Sequence, residues 1–226
     1  MKPEGAPSDA RGASQPGPPN ARDVRRATQE GVVAGATRTL LDDSGIRRSL
    51  MRIAHEIVER VEDPARLYLV AIPNGGIPLA RQLALNLHQI ADLVVPVGVL
   101  DTTLYRDDLM TTSARPALRR TEMPSAVDDH VVILVDDVVK TGRTIRAAMD
   151  ALMDFGRPKA VQVVGLVDRG HRELPIKIDY VGKNVPTHSD DEVRLQPPLH
   201  GQPEELEVVV VARARGEAGA AGEGSA

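Results

Sequence analysis

Residues 132–144 read VILVDDVVKTGRT, an apolar run that ends on paired aspartates and passes into Thr-Gly-Arg-Thr. Adjacent carboxylates repel each other, so Asp136 and Asp137 are expected to face a partner that carries positive charge or donates hydrogen bonds. Asp-Asp followed by Thr-Gly is also ordinary strand-to-turn chemistry. The surrounding chain has to decide between these readings.

Working outward, LYLVAI (67–72), VVPVGVL (94–100), VVILVDD (131–137), AVQVVGLVD (160–168) and LEVVVVA (206–212) are continuous apolar runs. Continuous rather than alternating runs are what strands covered on both faces require. Helical patterns fall between them at 78–90 and 144–155, the second with Ile145, Ala148, Met149, Leu152 and Phe155 on one stripe. Before the first strand, SGIRRSLMRIAHEIVERV (44–61) places Ile46, Leu50, Ile53, Ile57 and Val61 on one stripe and Arg48, Arg52, His55 and Glu59 opposite. Ser44 is the expected N-cap of that helix. Strand and helix in repetition predict an α/β fold with a parallel sheet and right-handed crossovers. Ligands of such sheets sit beyond the carboxyl ends of the strands, and the paired aspartates fall at such an end.

Composition narrows the function classes. With 226 residues and 42% apolar content the chain has enough for one domain plus appendages. Eight of the first twenty residues are Pro or Gly, and the last eleven read GEAGAAGEGSA. Neither end can bury enough surface to offset ordering, so 1–35 and 216–226 are expected to be disordered tails around a domain at 36–215. A formal net charge of -4 excludes bulk polycationic character and leaves any nucleic-acid site to a local patch. The absence of cysteine excludes disulfides, thiolate metal sites and a cysteine nucleophile, and it fits a reducing cytoplasm. No apolar run is long enough to span a bilayer and no secretory segment opens the chain, so a soluble cytoplasmic protein with no membrane partner is expected. With no Trp, one Phe and three Tyr, stacking platforms for single-stranded nucleic acid are poorly supplied.

The chemistry of the strand end follows from residue types. Backbone N–H groups at the start of the helix near Thr144 bind phosphate, Gly142 permits close backbone approach, and Thr141 and Thr144 add hydroxyl donors. Carboxylate oxygens accept hydrogen bonds from vicinal sugar hydroxyls. A phosphorylated ribose between the two is the reading that uses every residue, and a metal near the acids would relieve their repulsion.

The pattern D-D-x-x-x-T-G-x-T after an apolar strand resembles the phosphoribosyl diphosphate (PRPP) motif of type I phosphoribosyltransferases. Four segments, IRRSLMRIAHEIVER (46–60), TTLYRDDL (102–109), VILVDDVVKTGRTIRAAMDAL (132–152) and LVDRGHRELPIKIDYVGKNVPT (166–187), resemble the matching segments of the PyrR family of pyrimidine operon regulators and uracil phosphoribosyltransferases. The likeness runs in order over about 40–212. It implies the type I fold, a mostly parallel central sheet flanked by helices with a small hood.

The resemblance also implies roles. Asp136 and Asp137 would hold the ribose hydroxyls, and the stretch through Val138, Val139, Lys140, Thr141, Gly142, Arg143 and Thr144 would bind PRPP or nucleotide, with Thr141 to Thr144 on the 5′-phosphate. Mg2+ would arrive with PRPP and touch the acids only indirectly. Uracil would displace pyrophosphate through an oxocarbenium-like state, a reaction of positioning and charge stabilisation without one indispensable base. Residues 102–124, including Tyr105, Arg106 and Asp107, resemble the family's mobile lid. Asp168, Arg169 and Val185 would border the base.

The diphosphate loop is AIPNGGIPLA (71–80), where Pro73, Asn74, Gly75 and Gly76 stand against a usual Lys-Thr-Arg-Gly. The loss of a cation there predicts weaker diphosphate binding or turnover, since charge-assisted hydrogen bonds contribute roughly 1.5–3 kcal/mol each. Many other type I transferases carry a Gly-Gly-x-Pro turn at this place. Lys140, where an aromatic residue is usual, is a candidate for restoring part of the charge.

The regulatory half implies a basic RNA-binding face built from Arg48, Arg52, His55, Arg60, His171, Arg172, Lys177 and Lys183. From periodicity alone, a solvated helix face explains Arg48, Arg52 and His55 better than RNA contact does, and a turn explains His171 equally well. The implied partners are uracil, PRPP, UMP or UTP and the leader of pyrimidine operon mRNA, not DNA, in a homodimer or homotetramer. The alternatives are a uracil salvage transferase without RNA binding, and a type I transferase acting on orotate or a purine.

Overall fold

The computed structural model describes residues 37–73, 75–107, 120–197, 202 and 205–211, all within one unit spanning 36–226. The expected tails at 1–35 and 216–226 lie outside the described residues. In chain order the elements are β1 (Thr37–Leu41), α1 (Asp43–Arg60), β2 (Leu67–Ala71), α2 (Gly76–Ala91), β3 (Val97–Val99), β4 (Val131–Val139), α3 (Arg143–Leu152), β5 (Ala160–Asp168), β6 (Tyr180–Asn184), β7 (Glu192–Gln196) and β8 (Glu207–Val211).

Five strands form the parallel sheet in the order β3-β2-β4-β5-β6, with Leu67 opposite Val131 and Val131 opposite Ala160. Apolar residues alternate between its faces. Leu67, Leu69, Ile133 and Val135 join α1 and α2 on one side, whereas Tyr68, Val70, Val132 and Leu134 join α3 on the other. Both faces are dry, which is why these strands read as unbroken apolar runs. Each fully buried Leu or Ile contributes about 1.5–3 kcal/mol.

β1, β8 and β7 form a separate antiparallel sheet, the hood, whose Val193, Val208 and Val210 pack into the same core as α1. The run at 206–212 therefore belongs to the middle of the hood, not to the parallel sheet. The fifth parallel strand is β6 instead. Its sequence YVGKN carries little apolar signal, and Gly182 is needed because a Cβ there would lie 2.5 Å from the Leu166 carbonyl oxygen.

Boundaries also moved for physical reasons. β3 covers only Val97–Val99, since Pro96 has no N–H to give and contributes only its carbonyl, to Leu69 N at 3.0 Å. β4 continues to Val139, so both aspartates lie within the strand. The N-cap of α1 is Asp42, which accepts from Gly45 N at 2.8 Å, while the Ser44 hydroxyl donates to the Asp42 carboxylate. α2 starts two residues before the expected 78–90. α3 stops at Leu152 and a 3-10 turn (Met153–Phe155) follows, leaving Phe155 37% exposed instead of on the buried stripe. Among the described residues no helix is long and apolar enough to cross a membrane.

Candidate functional site

The carboxyl ends of the parallel strands bring together the turn after β2, the segment after β3, the acidic end of β4 and the connection after β5. At their centre Asp136 is buried and Asp137 half-buried, with Asp137 N donating to Asp136 Oδ1 at 3.0 Å. Burial, reinforced by the Asp137 charge, pushes the Asp136 carboxyl well above the ordinary carboxylate range; burial also raises Asp137. Arg106 works the other way and favours the charged form of Asp136.

The turn after β2 lies against these acids. A Cβ on Gly76 would fall 2.3 Å from the Val135 carbonyl oxygen, and one on Gly75 would fall 2.1 Å from Asp137 Oδ2. Gly75 has φ -82°, open to any residue, so the reason for glycine is space and not backbone freedom. Asn74 lies outside the described residues.

After β4, Gly142 adopts φ 90°, a left-handed conformation, and opens α3. Arg143 N donates to Thr141 Oγ1 at 3.3 Å, and the remaining first-turn amides and the positive dipole end face the same turn. The Thr141 carbonyl accepts from Glu173 N and Leu174 N at 3.0 and 3.2 Å, which fastens the turn to the connection after β5. The Arg143 side chain reaches across it to Asp107 at 2.6 Å and Glu173 at 2.7 Å. Lys140 Nζ donates to the Ser189 carbonyl at 2.7 Å, so its charge is directed to the segment after β6 and does not make up the deficit beside Gly75.

Of the expected lid, the described parts are its entry, ending at Asp107, and its return from Arg120; residues 108–119 lie outside the described residues. Tyr105 donates its hydroxyl to Asp154, and its carbonyl accepts from Arg146 Nη1 at 3.4 Å. On the return, Glu122 exchanges two backbone hydrogen bonds with Val99, each 2.8 Å.

The base-pocket candidates form one wall. Val185 N donates to the Asp168 carbonyl at 2.8 Å, and the Asp168 carboxylate accepts from Gly170 N at 2.9 Å and Arg172 Nη2 at 3.0 Å. Arg169 is buried and spends its guanidinium on Thr187 Oγ1 and the His188 carbonyl, both at 2.9 Å. Burial lowers its pKa. Asp168, Arg169 and the Val185 N–H are thus committed to holding 185–188 in place.

Residues 37–200 match the family model "Phosphoribosyl transferase domain". Relatives named Bifunctional protein PyrR are 58% identical over 157 residues in Pelotomaculum thermopropionicum, covering 70% of this chain and 87% of that protein. In Streptomyces coelicolor such a relative is 56% identical over 160 residues, 70% of this chain and 82% of that one. The chain belongs to the PyrR family. The fold is also that of solved hypoxanthine phosphoribosyltransferases. One from Trypanosoma cruzi has TM-score 0.58 at 17% identity over 79% of this chain and 96% of that one. One from Staphylococcus aureus has TM-score 0.53 at 18% identity, over 67% and 79%.

The basic residues expected from the PyrR resemblance are carried by two parts of this chain, α1 with β6 and the connection after β5, and Arg60 Nη1 joins them by donating to the Asp179 carbonyl at 3.2 Å. Arg48, Arg52 and Lys183 line a groove of about 370 Å3 with Leu41, Ser49 and Gly182, on the side of the sheet that α1 covers. Arg52 Nη2 donates to the Val181 and Gly182 carbonyls at 3.0 and 2.8 Å, and Lys183 Nζ to the Leu40 carbonyl at 2.9 Å. His55 is exposed on the same helix; Arg60, at its end, pairs with Glu56 at 2.8 Å and sits 5.4 Å over the Tyr180 ring. The other three residues belong to the connection after β5, whose Ile176 and Ile178 pack on the opposite face with α3. There Lys177 is exposed, His171 Nε2 is 2.7 Å from the Thr187 carbonyl, and Arg172 donates to Lys140 O, Ile176 O and Asp168. Arg172 acts as an internal brace, a role that a linear motif does not reveal.

Proposed function

We infer that the protein is a regulator of pyrimidine biosynthetic genes that binds their mRNA in response to uridine nucleotides, and that it also joins uracil to PRPP to give UMP and pyrophosphate. The observation that carries this reading is the buried Asp136-Asp137 pair followed directly by the left-handed Gly142 turn that opens α3, in a chain of the PyrR family.

In this reading Thr141 to Thr144 bind the 5′-phosphate through backbone N–H and hydroxyl groups. Ribose hydroxyls donate to Asp136 and Asp137, replacing the hydrogen bonds to water that burial denies the carboxylates. Uracil attacks the anomeric carbon as the bond to pyrophosphate breaks. The anionic pair and the fixed dipole of α3 then stabilise the cationic sugar and the phosphate without reorganisation. The wall of Asp168, Arg169 and Val185 orients the base. Among the described residues no cluster of three His, Cys, Asp or Glu could hold an ion by itself. Two adjacent carboxylates beside a diphosphate suit Mg2+, which keeps waters and substrate phosphates as ligands. When bound with PRPP, Mg2+ would neutralise the leaving diphosphate.

For RNA, the groove of Arg48, Arg52 and Lys183 supports phosphate contacts, with His55 and Arg60 beside it. Such contacts supply affinity and salt dependence, and base-edge hydrogen bonds supply sequence preference. We assign the protein to the cytoplasm as a homodimer or homotetramer, on the PyrR likeness. The test is filter binding of the organism's own pyrimidine leader RNA with and without UMP, run beside uracil-dependent pyrophosphate release from PRPP. Tighter binding than to scrambled RNA, strengthened by UMP, is expected together with turnover. Turnover without leader preference would make the protein a salvage transferase only.

A further inference from the structure

The segment 187–189, which continues the base wall after Val185, is held through three consecutive backbone carbonyls. The Thr187 carbonyl lies 2.7 Å from His171 Nε2, the His188 carbonyl accepts from Arg169 Nη2 at 2.9 Å, and the Ser189 carbonyl accepts from Lys140 Nζ at 2.7 Å. A carbonyl can only accept, so His171 carries its proton on Nε2. Arg169 and His171 belong to the connection that follows β5. Lys140, alone of the three, comes from the turn between β4 and α3, one residue before Thr141.

Lys140 is anchored at both ends. Its own carbonyl accepts from Arg172 Nη1 at 2.7 Å, and Arg172 also grips the Asp168 carboxylate at 3.0 Å. The next carbonyl, that of Thr141, accepts from Glu173 N and Leu174 N. From this braced backbone the ammonium reaches Ser189, 49 positions along the chain. The far end is shaped as well: His188 N donates to Asp191 Oδ2 at 3.0 Å and Asp191 N to the His188 carbonyl at 3.2 Å, which closes 188–191 into a turn. These contacts join the turn assigned to the 5′-phosphate to the wall assigned to the base. Lys140 stands where the family usually has an aromatic residue, so the link belongs to this chain's own sequence.

We propose that Lys140 is a positioning residue for base recognition: by tethering Ser189 to the phosphate turn it sets the base wall at a fixed spacing from the 5′-phosphate site. Uracil, or the uracil ring of UMP, then meets a wall that is already in place. This rests on the nucleotide-binding reading above and adds to it which side chain sets the geometry between the two halves of the site. A wall ordered before the ligand arrives spares the binding step the cost of ordering it. The ammonium acts on the base side of the site, and a ligand without a base gains nothing from it.

Calorimetry on the full chain with UMP, and separately with ribose 5-phosphate, which lacks the base, tests the assignment. Lys140→Met keeps an unbranched stem and removes the donor; it is expected to weaken UMP about five- to tenfold and ribose 5-phosphate by less than about twofold. Lys140→Arg, which can still donate to Ser189, should hold UMP within about twofold of wild type. In the pyrophosphate-release assay Lys140→Met should raise KM for uracil about fivefold and leave KM for PRPP within about twofold. An equal loss for UMP and ribose 5-phosphate in Lys140→Met, the result of an ammonium that binds the phosphate itself or of a damaged fold, overturns the proposal. So does UMP affinity no better in Lys140→Arg than in Lys140→Met. Wild-type protein that binds neither ligand overturns the reading of the site as well, whereas normal UMP binding by the wild type with an unaffected Lys140→Met overturns this inference alone.

Discussion

Two strand-to-helix turns leave the same edge of the parallel sheet, and they solve opposite problems. The turn from β4 into α3 is open: Gly142 takes φ 90°, Thr141 caps the first amide, and the helix start is left to face a ligand. The turn from β2 into α2 is closed down, with Gly75 and Gly76 packed so tightly on Asp137 and Val135 that no side chain fits. The first turn recognises by backbone geometry, which its sequence pattern encodes directly. The second has given up a side chain to approach the acids, and it offers a ligand only backbone there.

The largest effect expected from this contrast is at the acids the two turns share. Asp136→Asn combined with Asp137→Asn should lower uracil transferase kcat by about 10^2 to 10^3-fold, as measured by pyrophosphate release, because transition-state charge stabilisation is lost. The same residues give a pH signature in the ligand-free protein. Burial raises their carboxyls above the ordinary 3.8, so the stability they contribute is full below that value and is lost as pH rises through the raised one. Wild-type protein should therefore lose melting temperature relative to Asp136→Asn as pH climbs from about 4. Parallel pH profiles would contradict the burial argument.

Next comes the closed turn. Gly75→Ala should cost about 1–3 kcal/mol in denaturant unfolding, since its Cβ forces Asp137 or the turn to move. Gly142→Ala should cost about 1–2 kcal/mol, the price of a left-handed alanine, and should weaken UMP as the phosphate turn distorts. If Gly75→Ala leaves stability unchanged, the tight packing of the turn on Asp137 is not what requires glycine. The smallest effects lie at the groove beside α1. Arg48→Gln and Arg52→Gln should each reduce the salt slope of leader RNA binding by about 1, read by filter binding, and leave UMP affinity unchanged.

How much of this was legible in the sequence differs between the same two regions. The strand, the acid pair and the glycine turn of β4 and α3 were readable because their residues act through local backbone geometry within one short stretch. The hood was not. A continuous run such as LEVVVV reads alike whether it is the middle of a parallel sheet or of an antiparallel one, since its faces are covered in both. β6 was missed because Gly182 and Lys183 answer to a neighbouring carbonyl and to Leu40, contacts no local pattern reports. Long-range commitments also hid the roles of Lys140 and Arg172. Both looked like available cations, and both are spent on backbone carbonyls of distant segments.

The central claim is that a phosphorylated ribose binds between the acid pair of β4 and the start of α3. Titration calorimetry of the wild-type chain and of the Asp136→Asn/Asp137→Asn variant with UMP measures it directly. The account predicts one UMP bound per chain in the wild type and a loss of affinity of about tenfold or more in the variant. UMP heat that is absent from the wild type, or undiminished in the variant, would contradict it.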